Sequence, residues 1–167
     1  MSNLWVYIVV VNHDVRKEIS MTEKDNKSMI RRFIEEGLNK RNPALIEETY
    51  SSDYIGHDPE RPAPRTITDL QQGMVGLLGK VFPDGQYSIE RLVAEDDLVV
   101  WHWTFRATHK GELMGIPATG KQISFGGINI FRLKDGKVLE DWVYRDTTGL
   151  MRQLGVLPAP QPQPAQK

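Results

Sequence analysis

Four polar side chains set among apolar ones carry most of the chemistry open to this chain: His57, Asp58, Asn129 and Asp141. An imidazole exchanges its proton near neutral pH, so His57 is the first candidate for a base that removes a proton beside a carbonyl, against a purely structural role. Asp58 either orients that ring or caps the turn that Pro59 opens. The amide of Asn129 donates a hydrogen bond to a developing enolate oxygen without changing protonation, or is a satisfied polar group of a sheet. Asp141 alternates with Leu139, Val143 and Arg145, which puts these four on one face of a strand. Trp101, Trp103 and Phe105 recur at every second position, as do Phe125, Gly127, Asn129 and Phe131. Such an aromatic stripe is either core or the wall of a pocket for a hydrophobic, planar or polycyclic ligand. The four histidines, His13, His57, His102 and His109, show no ligand spacing, and cysteine is absent, so neither a metal nor a cofactor is expected.

These residues need elements to hold them. Ile30, Phe33, Ile34, Gly37 and Leu38 fall at helical spacing between Asp25 and Lys40. Asn42-Pro43 opens a second helix running to Tyr50, and Thr68 with Gln71 reads as a capping pattern for a third, stopped by Phe82-Pro83-Asp84-Gly85. After Gln86 the period changes to two. Gln86 to Glu95, Leu98 to Thr108, Gln122 to Leu133 and Lys137 to Asp146 read as strands, with hairpin turns at Asp96-Asp97 and Asp135-Gly136. Asp146 reads as the cap of a short final helix. The layout is α+β, three helices packed on one face of a curved, mainly antiparallel sheet.

The chain of 167 residues is long enough for one domain that buries roughly two-thirds of its unfolded surface. Lys/Arg 21 against Asp/Glu 22 removes the electrostatic case for nucleic acid as the main partner. Leu4 to Val11 is wholly apolar, but eight residues fall short of the roughly 20 a membrane helix needs, and its flanks do not match a secretory signal. A cytoplasmic protein without a membrane partner is therefore expected. Residues 1–25 form an extension, with Leu4 to Val11 as an extra strand or as a stretch upstream of a second start at Met21. Residues 156–167 alternate Pro with Ala and Gln, a composition that favours a disordered tail.

Glu112-Leu113-Met114-Gly115-Ile116-Pro117-Ala118-Thr119-Gly120-Lys121, with Thr108-His109 before it and Phe131-Arg132-Leu133-x-Asp135-Gly136-Lys137-Val138 after it, resembles the SnoaL-like polyketide cyclase family. Phe82-Pro83-Asp84, Tyr54-x-x-His57-Asp58-Pro59 and Arg152-Gln153-Leu154-Gly155 extend the resemblance over residues 26–155. It implies a cone-shaped α+β barrel of the nuclear-transport-factor-two-like superfamily, with the Gly-x-Pro-x-Thr-Gly loop shaping the mouth. It also implies an acidic acid/base residue on the last strand, for aldol ring closure. Aligning Asp135-Gly136-Lys137-Val138 without gaps puts that position at Val143, which transfers no proton, and the Arg expected in related epoxide hydrolases falls near Trp103. Asp141 then stands about 7 Å away as a displaced acid, or as a rim carboxylate paired with a Lys or Arg. Asn129 falls where related cyclases carry His, and His57 where ketosteroid isomerases carry their base.

The expectation is an apolar cavity that binds a small hydrophobic, polyketide- or steroid-like molecule. His57, Asn129 and Asp141 carry cofactor-free cyclisation or isomerisation, and Asp58, Trp101, Trp103, Phe105, Phe125, Phe131 and Val143 line the site. Val143 keeps open a protein that only binds, and epoxide hydrolysis is a further alternative. The second face of the sheet, with His102, Arg106, Trp142 and Tyr144, suits a homodimer or a cover formed by the amino-terminal run.

Overall fold

A computed structural model describes residues 22–158; the apolar run Leu4 to Val11 and most of the Pro/Gln tail lie outside the described residues. The first helix, α1 (Glu23–Arg32), begins two residues ahead of the expected Asp25. Thr22 and Asp25 cap it reciprocally, a pairing that supplies the orphan N–H groups of a helix start. It runs on as a π-helical segment, Phe33–Leu38, where Gly37 lies close against the Phe33 ring and Leu45. Asn42 Oδ1 accepts the Ala44 N–H at 3.2 Å and opens α2 (Ala44–Thr49), which passes directly into β1 (Tyr50–His57).

The third helix differs from expectation at its start. Its capping box is Thr66 with Asp69, not Thr68 with Gln71, because the first Ser/Thr-x-x-acid frame met after Pro64 is also the one whose side chains reach both N–H groups. α3 (Ile67–Gly73) continues as a second π-helical segment, Met74–Val81. There follow β2 (Gln86–Glu95), β3 (Leu98–Thr108), β4 (Gln122–Lys134), β5 (Lys137–Arg145) and α4 (Thr147–Leu154), the last capped by Asp146 Oδ1 on the Gly149 N–H at 2.8 Å. Asp135 and Gly136 both take positive φ, as a two-residue hairpin turn requires.

The five strands run in the order β1-β5-β4-β3-β2. All neighbours are antiparallel except β1, which lies parallel to β5 with Gly56 opposite Asp141 and His57 opposite Trp142. α1, α2, α3 and their π-helical extensions cover one face, where Ile30, Ile34, Leu45, Leu78, Val99, Phe105 and Phe131 are buried. The opposite face leaves Ile128 and Tyr144 exposed. Among the described residues no helix is long and apolar enough to cross a membrane.

Candidate active site

Three facts of local structure bring one carboxylate deep into the molecule. Asp141 faces the helices from β5, with 1% of its side chain exposed. Beside it on β1 lies Gly56, and on the far side of Gly56 the chain folds back so that Arg65 pairs with Gly56 through two backbone hydrogen bonds, of 2.9 and 2.7 Å. Arg65, Gly56 and Asp141 therefore form one row, and the Arg65 Nη2 donates to Asp141 Oδ1 at 2.5 Å. The Tyr54 hydroxyl crosses over Gly56 to donate to the same oxygen at 2.9 Å. A Cβ at position 56 would stand 2.1 Å from that hydroxyl, so only glycine lets the tyrosine reach the carboxylate.

Asp141 Oδ2 is less engaged. It accepts a single long hydrogen bond, 3.3 Å, from Asn129 Nδ2. The orientation of that amide is fixed in turn, since Asn129 Oδ1 accepts the indole N–H of Trp103 at 3.0 Å. Trp103 packs close against Gly127, where a Cβ would meet its ring at 2.3 Å. Burial drives the Asp141 carboxyl above the ordinary carboxylate range, with Arg65, Tyr54 and Asn129 pulling it back. Burial likewise raises the Tyr54 phenol, which therefore stays a donor. Burial is the largest influence on Arg65 and opposes its charge, but Asp141, together with Tyr54, Tyr50 and Asp58, outweighs it and raises the guanidinium above its ordinary value.

These groups open onto a cavity of about 520 Å³ between sheet and helices. One wall is aromatic, with Trp101, Trp103, Phe125 and Phe131 beside Tyr87; the helical wall is Phe33, Met74, Leu77 and Leu78. Val143 lines it next to Asp141, and Met114 of the β3–β4 loop stands at its edge. That loop is tied down by His109, fully buried, whose Nδ1 lies 3.1 Å from the Thr119 hydroxyl. A second ion pair, Arg145 with Asp58, borders the same space, with Glu60 3.8 Å from the arginine Nε. Asp58 also caps its turn, accepting the Glu60 N–H at 3.0 Å.

The structure thus brings together Asn129, Asp141, Asp58, Trp101, Trp103, Phe125, Phe131 and Val143, while Phe105 is packed behind them against Phe82 and Tyr87. It does not bring His57 to them. Paired with Trp142 in the parallel register, His57 points to the other face of the sheet, stacks on the Trp142 ring at 5.1 Å and meets Glu140 Oε1 at 2.7 Å. The expectation of His57 beside Asn129 is corrected by one residue of strand alternation. Asp141 in turn is no rim carboxylate; it is paired with an arginine, but at depth. Tyr54, Arg65 and Arg145 are the partners that residue-type reasoning passed over. Arg145 had a signal in its alternation with Asp141, whereas Arg65, which follows Pro64 and is the second cation there after Arg61, had none.

The model of the SnoaL-like polyketide cyclase family matches residues 28–154. The chain belongs to this family. Over 55 residues, 33% of the chain, this SnoaL-like protein is 42% identical to the aklanonic acid methyl ester cyclases DnrD of Streptomyces peucetius and DauD of Streptomyces sp. strain C5. The matched stretch spans 37% and 34% of those two relatives. Two solved structures share the fold of the SnoaL-like chain over most of its length. AclR from Streptomyces galilaeus superimposes with a TM-score of 0.75 at 29% identity, covering 83% of this chain and 89% of its own; TsrD from Streptomyces laurentii gives 0.73 at 28%, covering 82% and 99%.

Proposed function

We propose that this SnoaL-like protein binds a small hydrophobic carbonyl compound, polyketide- or steroid-like, and carries out cofactor-free acid/base cyclisation or isomerisation on it, with Asp141 as the proton-transferring group. The observation that carries this reading is a buried carboxylate, one oxygen held by Arg65 and Tyr54 and the other nearly free, on the wall of an aromatic cavity. A carboxylate made more basic by burial is suited to take a proton from a carbon next to a carbonyl. Asp141 Oδ2 accepts that proton, and the electron pair moves onto the carbonyl oxygen as an enolate. The second N–H of Asn129 and the charge of Arg65 favour the negative oxygen. In ring closure the enolate carbon bonds to a second carbonyl carbon, and the resulting alkoxide takes the proton back from Asp141. In isomerisation the proton returns to a different carbon.

Asp141 stands two residues from Val143, where the family resemblance puts the acid, and on the same face. The carboxylate therefore enters the cavity one strand repeat, about 7 Å, along β5. The curated relatives are named as cyclases of aklanonic acid methyl ester, which makes that compound the first to try. The assay follows conversion of aklanonic acid methyl ester and related polycyclic keto esters to isomers of equal mass by liquid chromatography. Asp141→Asn is expected to lose about 10²- to 10⁴-fold in turnover while still binding ligand. An unaltered rate in that variant contradicts the reading. Ligand binding with no turnover by the wild type supports the second reading instead, a protein that only sequesters its ligand, to which Val143 points. The exposed sheet face with Ile128 and Tyr144 is proposed as the contact with a second copy of the chain.

A further inference from the structure

Two phenols of β1 stand side by side inside the molecule and differ in what their hydroxyls do. Tyr54 commits its own to Asp141 Oδ1. Tyr50 lines the cavity and is 3% exposed, and its hydroxyl has no hydrogen-bond partner among the described residues. Unlike the indole N–H of Trp101, that hydroxyl is not sealed in, so the small surface Tyr50 keeps includes its oxygen and opens on the cavity. The ring is held in place, since Phe33 meets it edge-on at 5.1 Å and Tyr54 at 4.9 Å. Burial first, then the charge of Asp141 and the neighbouring Tyr54, push this phenol well above its ordinary value, against the pull of Arg65. Tyr50 therefore keeps its proton and is a neutral donor with no acceptor of its own.

The strand order sets the direction of approach. β1 and β4 flank β5, so Tyr50 reaches the surroundings of Asp141 from one side and Asn129 reaches them from the other. We propose that Tyr50 is a second catalytic residue, whose hydroxyl donates a hydrogen bond to the carbonyl oxygen of the substrate and, with Asn129, cradles the enolate. This rests on Asp141 acting as the base, as above, and supplies the group that meets the displaced charge. The C–H bond breaks and its proton passes to Asp141 Oδ2. The electron pair left behind forms the carbon–carbon double bond while the carbonyl π pair moves onto oxygen, and Tyr50 retains its own proton throughout. Negative charge thus leaves the carboxylate and gathers on the oxygen facing Tyr50, so the hydrogen bond is stronger in the transition state than in the ground state. Tyr87, the other phenol on the cavity wall, belongs to β2, three strands from β5, and is not placed to share this task.

The test uses the full chain with 2-tetralone, with 2-naphthol, which carries the enol oxygen on the same carbon skeleton, and with naphthalene, which lacks it. Tyr50→Phe keeps the ring and removes the hydroxyl. It is expected to bind 2-tetralone nearly as well as the wild type, yet to slow its deuterium exchange in heavy water about 10²-fold. Calorimetry should show 2-naphthol weakened about 10-fold and naphthalene unchanged, a difference that a packing role for Tyr50 would not produce. Should Tyr50→Phe disturb folding, the Cζ resonance of Tyr50 in tyrosine-labelled wild-type protein gives the same answer, moving with 2-naphthol and not with naphthalene. An unaltered exchange rate, or equal weakening of both aromatic probes, overturns the assignment to Tyr50 and leaves Asp141 as the base. Exchange by Asp141→Asn at the wild-type rate overturns the base, and this assignment with it.

Discussion

At the scale of single residues the account turns on how one carboxylate is shared among its neighbours. Arg65 and Tyr54 hold Oδ1 of Asp141, so Oδ2 is the oxygen left to exchange a proton. Burial raises this group and Arg65 lowers it, which fixes the sign of two expectations. Turnover should rise with pH through a midpoint above the ordinary carboxylate value, because the base must be ionised. In Arg65→Met that limb should move to still higher pH, measured as kcat/KM against pH, since the cation that favours the ionised form is gone. Residue types alone revealed Asp141, Asn129 and the tryptophans, because an acid, an amide and aromatics in apolar strands stand out. They misplaced His57, whose face depends on how β1 pairs with β5, and they passed over Arg65, whose role exists only because its loop folds back on Gly56.

Elements decide whether those contacts survive. Gly56 is the point where β1, β5 and the returning loop meet, and the Tyr54 hydroxyl occupies the space a side chain would need. Gly56→Ala should therefore cost about 1–3 kcal/mol in stability, seen in urea denaturation, and should depress turnover by displacing the tyrosine from Asp141. One residue beyond Arg65, the Thr66–Asp69 capping box starts α3, and Thr66 hydrogen bonds hold the Asp69 carboxyl below its ordinary range. Thr66→Ala should cost about 1 kcal/mol and lower the Tm by roughly 2–4 °C, with a rise in KM if the arginine is loosened. Helices and strands were largely legible, since the apolar period changes from helical to alternating at Gln86 and Asp135-Gly136 marks its hairpin without help. The π-helical stretches were not, as the apolar spacing of Ile30 to Leu38 and of Leu70 to Val81 reads as ordinary helix. β1 is not among the strands that the alternating period marks, because a parallel pairing between chain segments about 85 residues apart leaves no trace in either.

For the molecule as a whole, the fold keeps a space between sheet and helices and leaves Ile128 and Tyr144 exposed on its outer face. Sedimentation should find two copies associated, and Ile128→Glu should separate them, because a charge on that face opposes its burial. The buried carboxylate also marks global stability. Its folded value is raised above 3.8, so its contribution is fully present below that pH and is lost as pH rises through the folded value. The Tm of the wild type relative to Asp141→Asn should accordingly fall as pH climbs from about 4 toward neutrality. The claim on which everything converges is that a ketone in the cavity gives up a proton to Asp141, and deuterium exchange reads this without knowledge of the natural substrate. With 2-tetralone in heavy water followed by NMR, the wild-type protein should speed exchange at the carbon between ring and carbonyl, and Asp141→Asn should bind the ketone yet exchange it at the uncatalysed rate. Equal acceleration by both proteins, or none by a wild type that binds the ketone, would contradict the account.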